Sequence, residues 1–174
     1  MSKTQWMINK CIEYNKKLAF NVFMASNQIY QNILDNNLDA LYIYIYKICN
    51  IDLQPYNYSI IFRKTEKGYY HNWHLDGRRV FKNRKGIVCP SDPNNTSEYI
   101  LHNILETIPK YSLLYYNSNY NIDFTGGTIE FINNKIIQPK KNLCILFDSN
   151  LGHRVNNQNS GIRECILILF FEKI

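Results

Sequence analysis

Leu143-Cys144-Ile145-Leu146-Phe147-Asp148, then His153-Arg154-Val155, then Gly161-Ile162-Arg163 running into the apolar stretch Ile166 to Phe171, is the part of the chain on which the fold turns. Each piece is a short run rich in β-branched and aromatic residues, bounded by Asn, Gly or Ser, which is how strands separated by turns read. Working outward, Tyr111 to Tyr116, Thr128 to Ile132, Asn142 to Phe147, His153 to Asn156 and Arg163 to Glu172 make five such strands. That spacing predicts an all-β sandwich or barrel over the C-terminal part of the chain.

Upstream, Tyr58 to Phe62 and Tyr69 to Asp76 predict a hairpin across the polar turn Arg63 to Gly68. Its second arm ends in His74-Leu75-Asp76. Alternate side chains of a strand share a face, so the imidazole of His74 and the carboxylate of Asp76 emerge together while Leu75 turns away. A carboxylate and an imidazole suit a divalent iron ion, and one further histidine, His153, would complete a set of two histidines and one carboxylate. His71 lies three residues before His74, which on a regular strand puts it on the opposite face. Arg154 is expected at the surface, or against substrate or Asp148, and Asp148 itself as a turn cap. Lys82 to Ser97 is polar, carries Gly86, Pro90 and Pro93, and predicts a long loop beside the ligand pair.

The N-terminal part has a different character. Between Thr4 and Leu34 the residues Trp6, Ile8, Ile12, Leu18, Phe20, Phe23, Ile29, Tyr30 and Ile33 recur at three- to four-residue spacing, which predicts helix with Ser2 or Thr4 as N-cap. Leu38 to Asn50 reads either as helix or, through Tyr42-Ile43-Tyr44-Ile45-Tyr46, as a strand, and helix is the better reading. Tyr99 to Ile108 predicts a short helix before Pro109.

With 174 residues and no internal repeat, one domain is expected, residues 1–50 serving as helical support for a β core over 56–174. There is no run of about eighteen apolar residues and no basic-apolar leader, so a soluble cytoplasmic protein without a membrane partner is expected, acting in a host cell if its source is viral. Five scattered cysteines without a C-x-x-C pair are expected to be reduced and mostly buried. The formal charge of +6 and pI near 9.0 allow a nucleic-acid partner and equally an anionic cosubstrate.

Taken together, H-x-D at His74 and Asp76, the Gly126-Gly127 turn into a strand, the strand ending Phe147-Asp148, His153-Arg154-Val155 and a G-x-R arginine ten residues after His153 resemble the iron- and 2-oxoglutarate-dependent dioxygenases, and within them the prolyl-hydroxylase-like branch. The resemblance spans roughly Tyr58 to Glu172. It implies a mainly β fold with N-terminal helices, a double-stranded β-helix (jelly roll, cupin-like), with His74, Asp76 and His153 as both the catalytic and the Fe(II)-binding residues. It further implies Arg163 as the partner of the distal carboxylate of 2-oxoglutarate, O2 as the oxidant and ascorbate as a candidate reductant. The implied reaction couples loss of carbon dioxide from 2-oxoglutarate to hydroxylation of a C–H bond, with a protein side chain such as proline, in a protein or peptide, as the expected substrate. Two alternatives stand beside it: oxidative demethylation or hydroxylation of nucleic acid, as in AlkB-like members, and a non-catalytic jelly-roll binding module. The chain departs from the family at two places. Cys165 stands where Ser or Thr is usual, and the tyrosine that joins the cosubstrate site has Tyr58 or Tyr115 as replacements.

Overall fold

The computed structural model describes residues 17–76 and 109–173, with the backbone of 81–82 and 88–89. In chain order the elements are β1 (Phe20–Met24), α1 (Asn27–Leu34), α2 (Asp39–Cys49), β2 (Asn57–Thr65), β3 (His71–His74), β4 (Phe81–Lys82), β5 (Val88–Cys89), β6 (Pro109–Tyr116), β7 (Phe124–Gly126), β8 (Ile129–Phe131), β9 (Ile136–Ile137), β10 (Leu143–Asp148), β11 (His153–Val155), β12 (Gln158–Gly161) and β13 (Arg163–Phe171). Among the described residues the protein is mainly β, with two helices ahead of most of the strands.

Five strands form one antiparallel sheet in the order β1-β10-β6-β13-β2, and four form a second in the order β3-β11-β8-β9. The inner faces of the two sheets meet over a core of Leu114, Tyr116, Ile129, Phe131, Ile145, Phe147 and Leu167. The outer face of the five-stranded sheet is covered by the helices, through Ile29, Ile33, Leu41 and Ile45 against Leu113, Cys144, Ile166 and Ile168. The central strands are thus buried on both faces, which is why β6, β10 and β13 read as continuous apolar runs rather than alternating ones.

Helix α2 resolves the ambiguity at Tyr42 to Tyr46 in favour of helix, its Leu41 and Ile45 buried four apart and Asn50 closing it in the left-handed conformation. The expected helix from Thr4 to Leu34 is corrected over its middle part. Phe20–Met24 pairs as an edge strand along Leu143–Phe147, and the helix begins only after Ser26, whose side chain accepts the N–H of Ile29. A neighbouring strand offering five residues of ladder outweighed a loose helical period. Residues 1–16, with the proposed caps Ser2 and Thr4, lie outside the described residues, as do most of the expected loop after Lys82 and the expected helix Tyr99 to Ile108. The expected turn Arg63 to Gly68 is shorter, because β2 continues to Thr65 opposite Arg163. Cys144 and Cys165 are free and buried and Cys49 is free and partly buried. Among the described residues no helix is long and apolar enough to cross a membrane.

Candidate metal centre

His74 closes β3 and pairs across the ladder with His153, the first residue of β11, so that backbone register alone sets the two imidazoles side by side. Asp76 lies just past the end of β3 and folds in beneath both. Its Oδ1 is 3.6 Å from His74 Nε2 and 3.4 Å from His153 Nε2. These separations are wider than a normal hydrogen bond and suit three donors sharing one ion about 2 Å from each. The three ligand atoms lie within 4.8 Å of one another.

The rings are held by their other nitrogens. His74 Nδ1 is 2.7 Å from the carbonyl of Asn72 and His153 Nδ1 is 3.0 Å from the carbonyl of Leu151. Since a carbonyl only accepts, both Nδ1 atoms carry a proton and both Nε2 atoms face Asp76, the arrangement in which backbone carbonyls orient metal-binding imidazoles. His153 is wedged between Phe131 and Phe147, with ring centroids 5.6 and 5.0 Å away. Burial alone would raise the pKa of Asp76, yet the adjoining His153 and His74 hold it well below the usual carboxylate range. Burial alone would lower His153, yet the Asp76 charge raises it.

Asp76 Oδ2 is buried with no hydrogen-bond partner. A carboxylate set between two imidazoles through one oxygen, with its other oxygen orphaned, fits a bound cation, which would offset the burial of its charge. These donors, one oxygen and two nitrogens with no thiolate, fit Fe(II).

The same pocket reaches Arg163, at the start of β13, and Arg63 on β2. Arg163 is only 2% exposed and its Nε has no partner. Its guanidinium lies 5.3 Å from the centre of the Tyr116 ring. Gly127, at φ +63°, supplies the room: a Cβ there would stand 3.3 Å from Arg163 Cδ. Burial pushes the Tyr116 phenol up to about 12 despite the arginine beside it, so it stays protonated, and its buried hydroxyl is also without a partner.

Four of the six residues singled out in the sequence therefore meet here: His74, Asp76, His153 and Arg163. Tyr58 and Tyr115 do not. Tyr58 lies exposed on the far side of β2 with its hydroxyl on Asn36, and Tyr115 faces the helices, where its hydroxyl donates to the carbonyl of Ser26. The tyrosine against Arg163 is Tyr116, one residue on. Because both faces of β6 are apolar, alternation gave no signal between the two. His71 is a second correction. A bulge between the pairs His153–His74 and Val155–His71 adds a residue to β3 and turns His71 onto the same face, stacked on His74 with centroids 3.6 Å apart. Arg154, by contrast, points out of the pocket, bound to Glu130 and lying over Trp73, while Asp148 caps the N–H of Asn150 and pairs with Lys110.

No protein-family model matches the chain, and no curated protein sequence matches it. Solved structures do. A prolyl-4-hydroxylase from Pseudomonas putida superposes with a TM-score of 0.55 at 11% identity, covering 95% of both chains. The viral collagen prolyl hydroxylase of Paramecium bursaria Chlorella virus-1, in its 2-oxoglutarate complex, gives 0.54 at 16% identity over 98% of this chain and 89% of that one. A 2OG-Fe(II) oxygenase family oxidoreductase from Burkholderia pseudomallei gives 0.50 at 10% identity over 94% and 78%. At such identities the likeness is one of fold, and the fold this chain shares is that of these three oxygenases.

Proposed function

We propose that the chain is one domain, a double-stranded β-helix, that works as an Fe(II)- and 2-oxoglutarate-dependent oxygenase hydroxylating a protein side chain such as proline. The observation that carries the reading is the convergence of His74 Nε2, His153 Nε2 and Asp76 Oδ1, with the other Asp76 oxygen left without a hydrogen-bond partner and a buried Arg163 whose Nε has none in the same pocket. His74, Asp76 and His153 would hold the metal on one side and leave its other side open. Iron with 2-oxoglutarate supplies the oxygen activation that a C–H bond requires.

The protein's own share is positioning. The carbonyls of Asn72 and Leu151 fix the imidazole tautomers, while Phe131 and Phe147 wall His153 from water. Arg163 would receive the distal carboxylate of 2-oxoglutarate, a planar guanidinium being matched to a carboxylate and charged at any working pH. Tyr116 stacks beneath it. The choice of a protein side chain as substrate follows the resemblance of the motif series and the prolyl hydroxylases among the fold's relatives.

The test is anaerobic titration with Fe(II) and 2-oxoglutarate, read by the weak visible absorption of their chelate, followed by oxygen and an assay for succinate. The wild-type protein should give the band and slow succinate formation, and His74→Ala and Asp76→Ala should give neither. A folded wild-type protein that binds Fe(II) without a band, or variants that keep turnover, would sink the proposal. Given a positive result, proline-containing peptides and oligonucleotides supplied in parallel would separate the proposed substrate from a nucleic acid.

A further inference from the structure

Arg63 is not one of the residues to which the sequence draws attention, yet it lies in the pocket. On β2 it stands directly opposite Cys165 of β13, and Arg163 is two positions from Cys165 on the same inner face. Residues paired in this way sit about 5 Å apart at Cβ, so two guanidinium groups flank one thiol. Its polar contact is the hydroxyl of Tyr69 at 3.5 Å. Among the described residues neither arginine forms an ion pair. Among the described residues Asp76 is the sole carboxylate lining the pocket, and it is taken up by the two imidazoles. Cys165 cannot supply the counter-charge, since burial pushes its thiol up despite the two arginines.

Two cations sharing a pocket without a counter-ion repel one another and leave the buried one costly, and both conditions are relieved by an anion with acceptors for both. A carboxylate has about four acceptor positions, more than one arginine fills. We propose that Arg63 is the second arm of a two-arginine clamp on the distal carboxylate of the cosubstrate, taking the place that a hydroxyl at position 165 would otherwise hold. Arg163 grips from the depth of the pocket with its plane set by Tyr116, and Arg63 grips from the flank, steadied by Tyr69. The clamp rests on the cosubstrate reading above and extends it to a residue on a different strand.

Two ligands separate the clamp from that reading: 2-oxoglutarate, and 2-oxopentanoate, which has the same chain and chelating end but no distal carboxylate. Both are titrated calorimetrically into anaerobic Fe(II)-loaded protein, wild type, Arg63→Met and Arg63→Lys, with Fe(II) affinity in the absence of either acid as the control for an intact site. The wild type should prefer 2-oxoglutarate. Arg63→Met should lose about tenfold or more in 2-oxoglutarate affinity, as expected for a charge-assisted contact, with 2-oxopentanoate unchanged. Arg63→Lys should recover part of the loss, and reads the same difference if the methionine variant does not fold. Unchanged 2-oxoglutarate affinity in the variants would overturn the clamp and leave the cosubstrate reading standing. Equal weakening of both acids would overturn it too, by placing Arg63 at the chelating end. A wild type that binds Fe(II) and shows no preference would remove both ideas together.

Discussion

His71 shows how much one side chain's direction decides. On a regular strand it would be a neutral surface position and its removal would change little. Stacked face to face on His74, it sets the plane of a ring of the candidate metal centre from the side that Asn72 does not reach. His71→Ala should therefore weaken Fe(II) binding by about tenfold, in the range found when groups that orient metal ligands are removed, whereas His71→Phe, which keeps a stacked ring, should restore most of it. Equal affinity for all three proteins would show that the stack does not orient His74. At the same scale lies a pH dependence. In the metal-free protein the raised pKa of His153 contributes stability that is present below its unfolded value of ~6.5 and is lost as pH rises through the folded value. The lowered pKa of Asp76 contributes stability present above ~3.9 and lost as pH falls toward the folded value. Melting temperatures of the apo-protein should thus be highest between about pH 4 and 6.5 as far as this pair is concerned. Added Fe(II) should stabilise increasingly as pH rises, because the metal replaces the proton on His153. A metal-induced shift in Tm that is flat from pH 5 to 8 would contradict the assignment.

Among the elements, the turn from β7 into β8 does more than reverse the chain. Gly126 and Gly127 both have positive φ, and Gly127 backs onto Arg163 Cδ. Gly127→Ala should cost about 1–2 kcal/mol for the left-handed conformation, readable as a fall in the denaturation midpoint. It should also weaken 2-oxoglutarate binding, because the guanidinium must shift by a few tenths of an ångström. Gly68→Ala is a suitable comparison, since Gly68 also has positive φ but nothing stands within 4 Å of its missing Cβ, so it should cost stability alone. This level also marks where the sequence was legible. Strands β6, β8, β10, β11 and β13, the pairing of His74 with Asp76 and the distance from His153 to Arg163 could all be read, because turn residues and apolar runs bound them. What could not be read depends on a neighbour: which of Tyr115 and Tyr116 lies against Arg163, that β3 carries a bulge, and that Arg63 comes to lie opposite Cys165. None of these leaves a periodicity in its own segment, since each is fixed by the register of a strand distant in sequence.

Across the whole molecule the five-stranded sheet separates two apolar layers with different duties. One lies under the helices, around Leu41, Ile45, Leu113 and Ile168; the other lies between the sheets, around Phe131, Phe147 and Leu167, and its open end is the pocket. The central strands contribute to both, so a loss of packing in either layer should lower global stability. Among the described residues only the inner layer touches a residue of the candidate metal centre, through Phe131 and Phe147 on His153. Matched substitutions test that division. Ile45→Val in the helix-covered layer should cost about 0.5–1.5 kcal/mol, and Phe131→Leu in the inner layer a cost on the order of 1 kcal/mol or more, because each leaves a small void that neighbours fill incompletely. Losses of that size leave both proteins folded at 25 °C if the global stability lies in the usual range of about 5–15 kcal/mol. Fe(II) affinity, measured where both are folded, should then stay at the wild-type value in Ile45→Val and fall severalfold in Phe131→Leu, since His153 loses an aromatic face that holds its ring. If both variants bound iron as the wild type does, the inner layer would be packing alone, and the order of the site would rest on the Asn72 and Leu151 carbonyls. If both lost affinity in proportion to their stability, the two layers would be a single cooperative body.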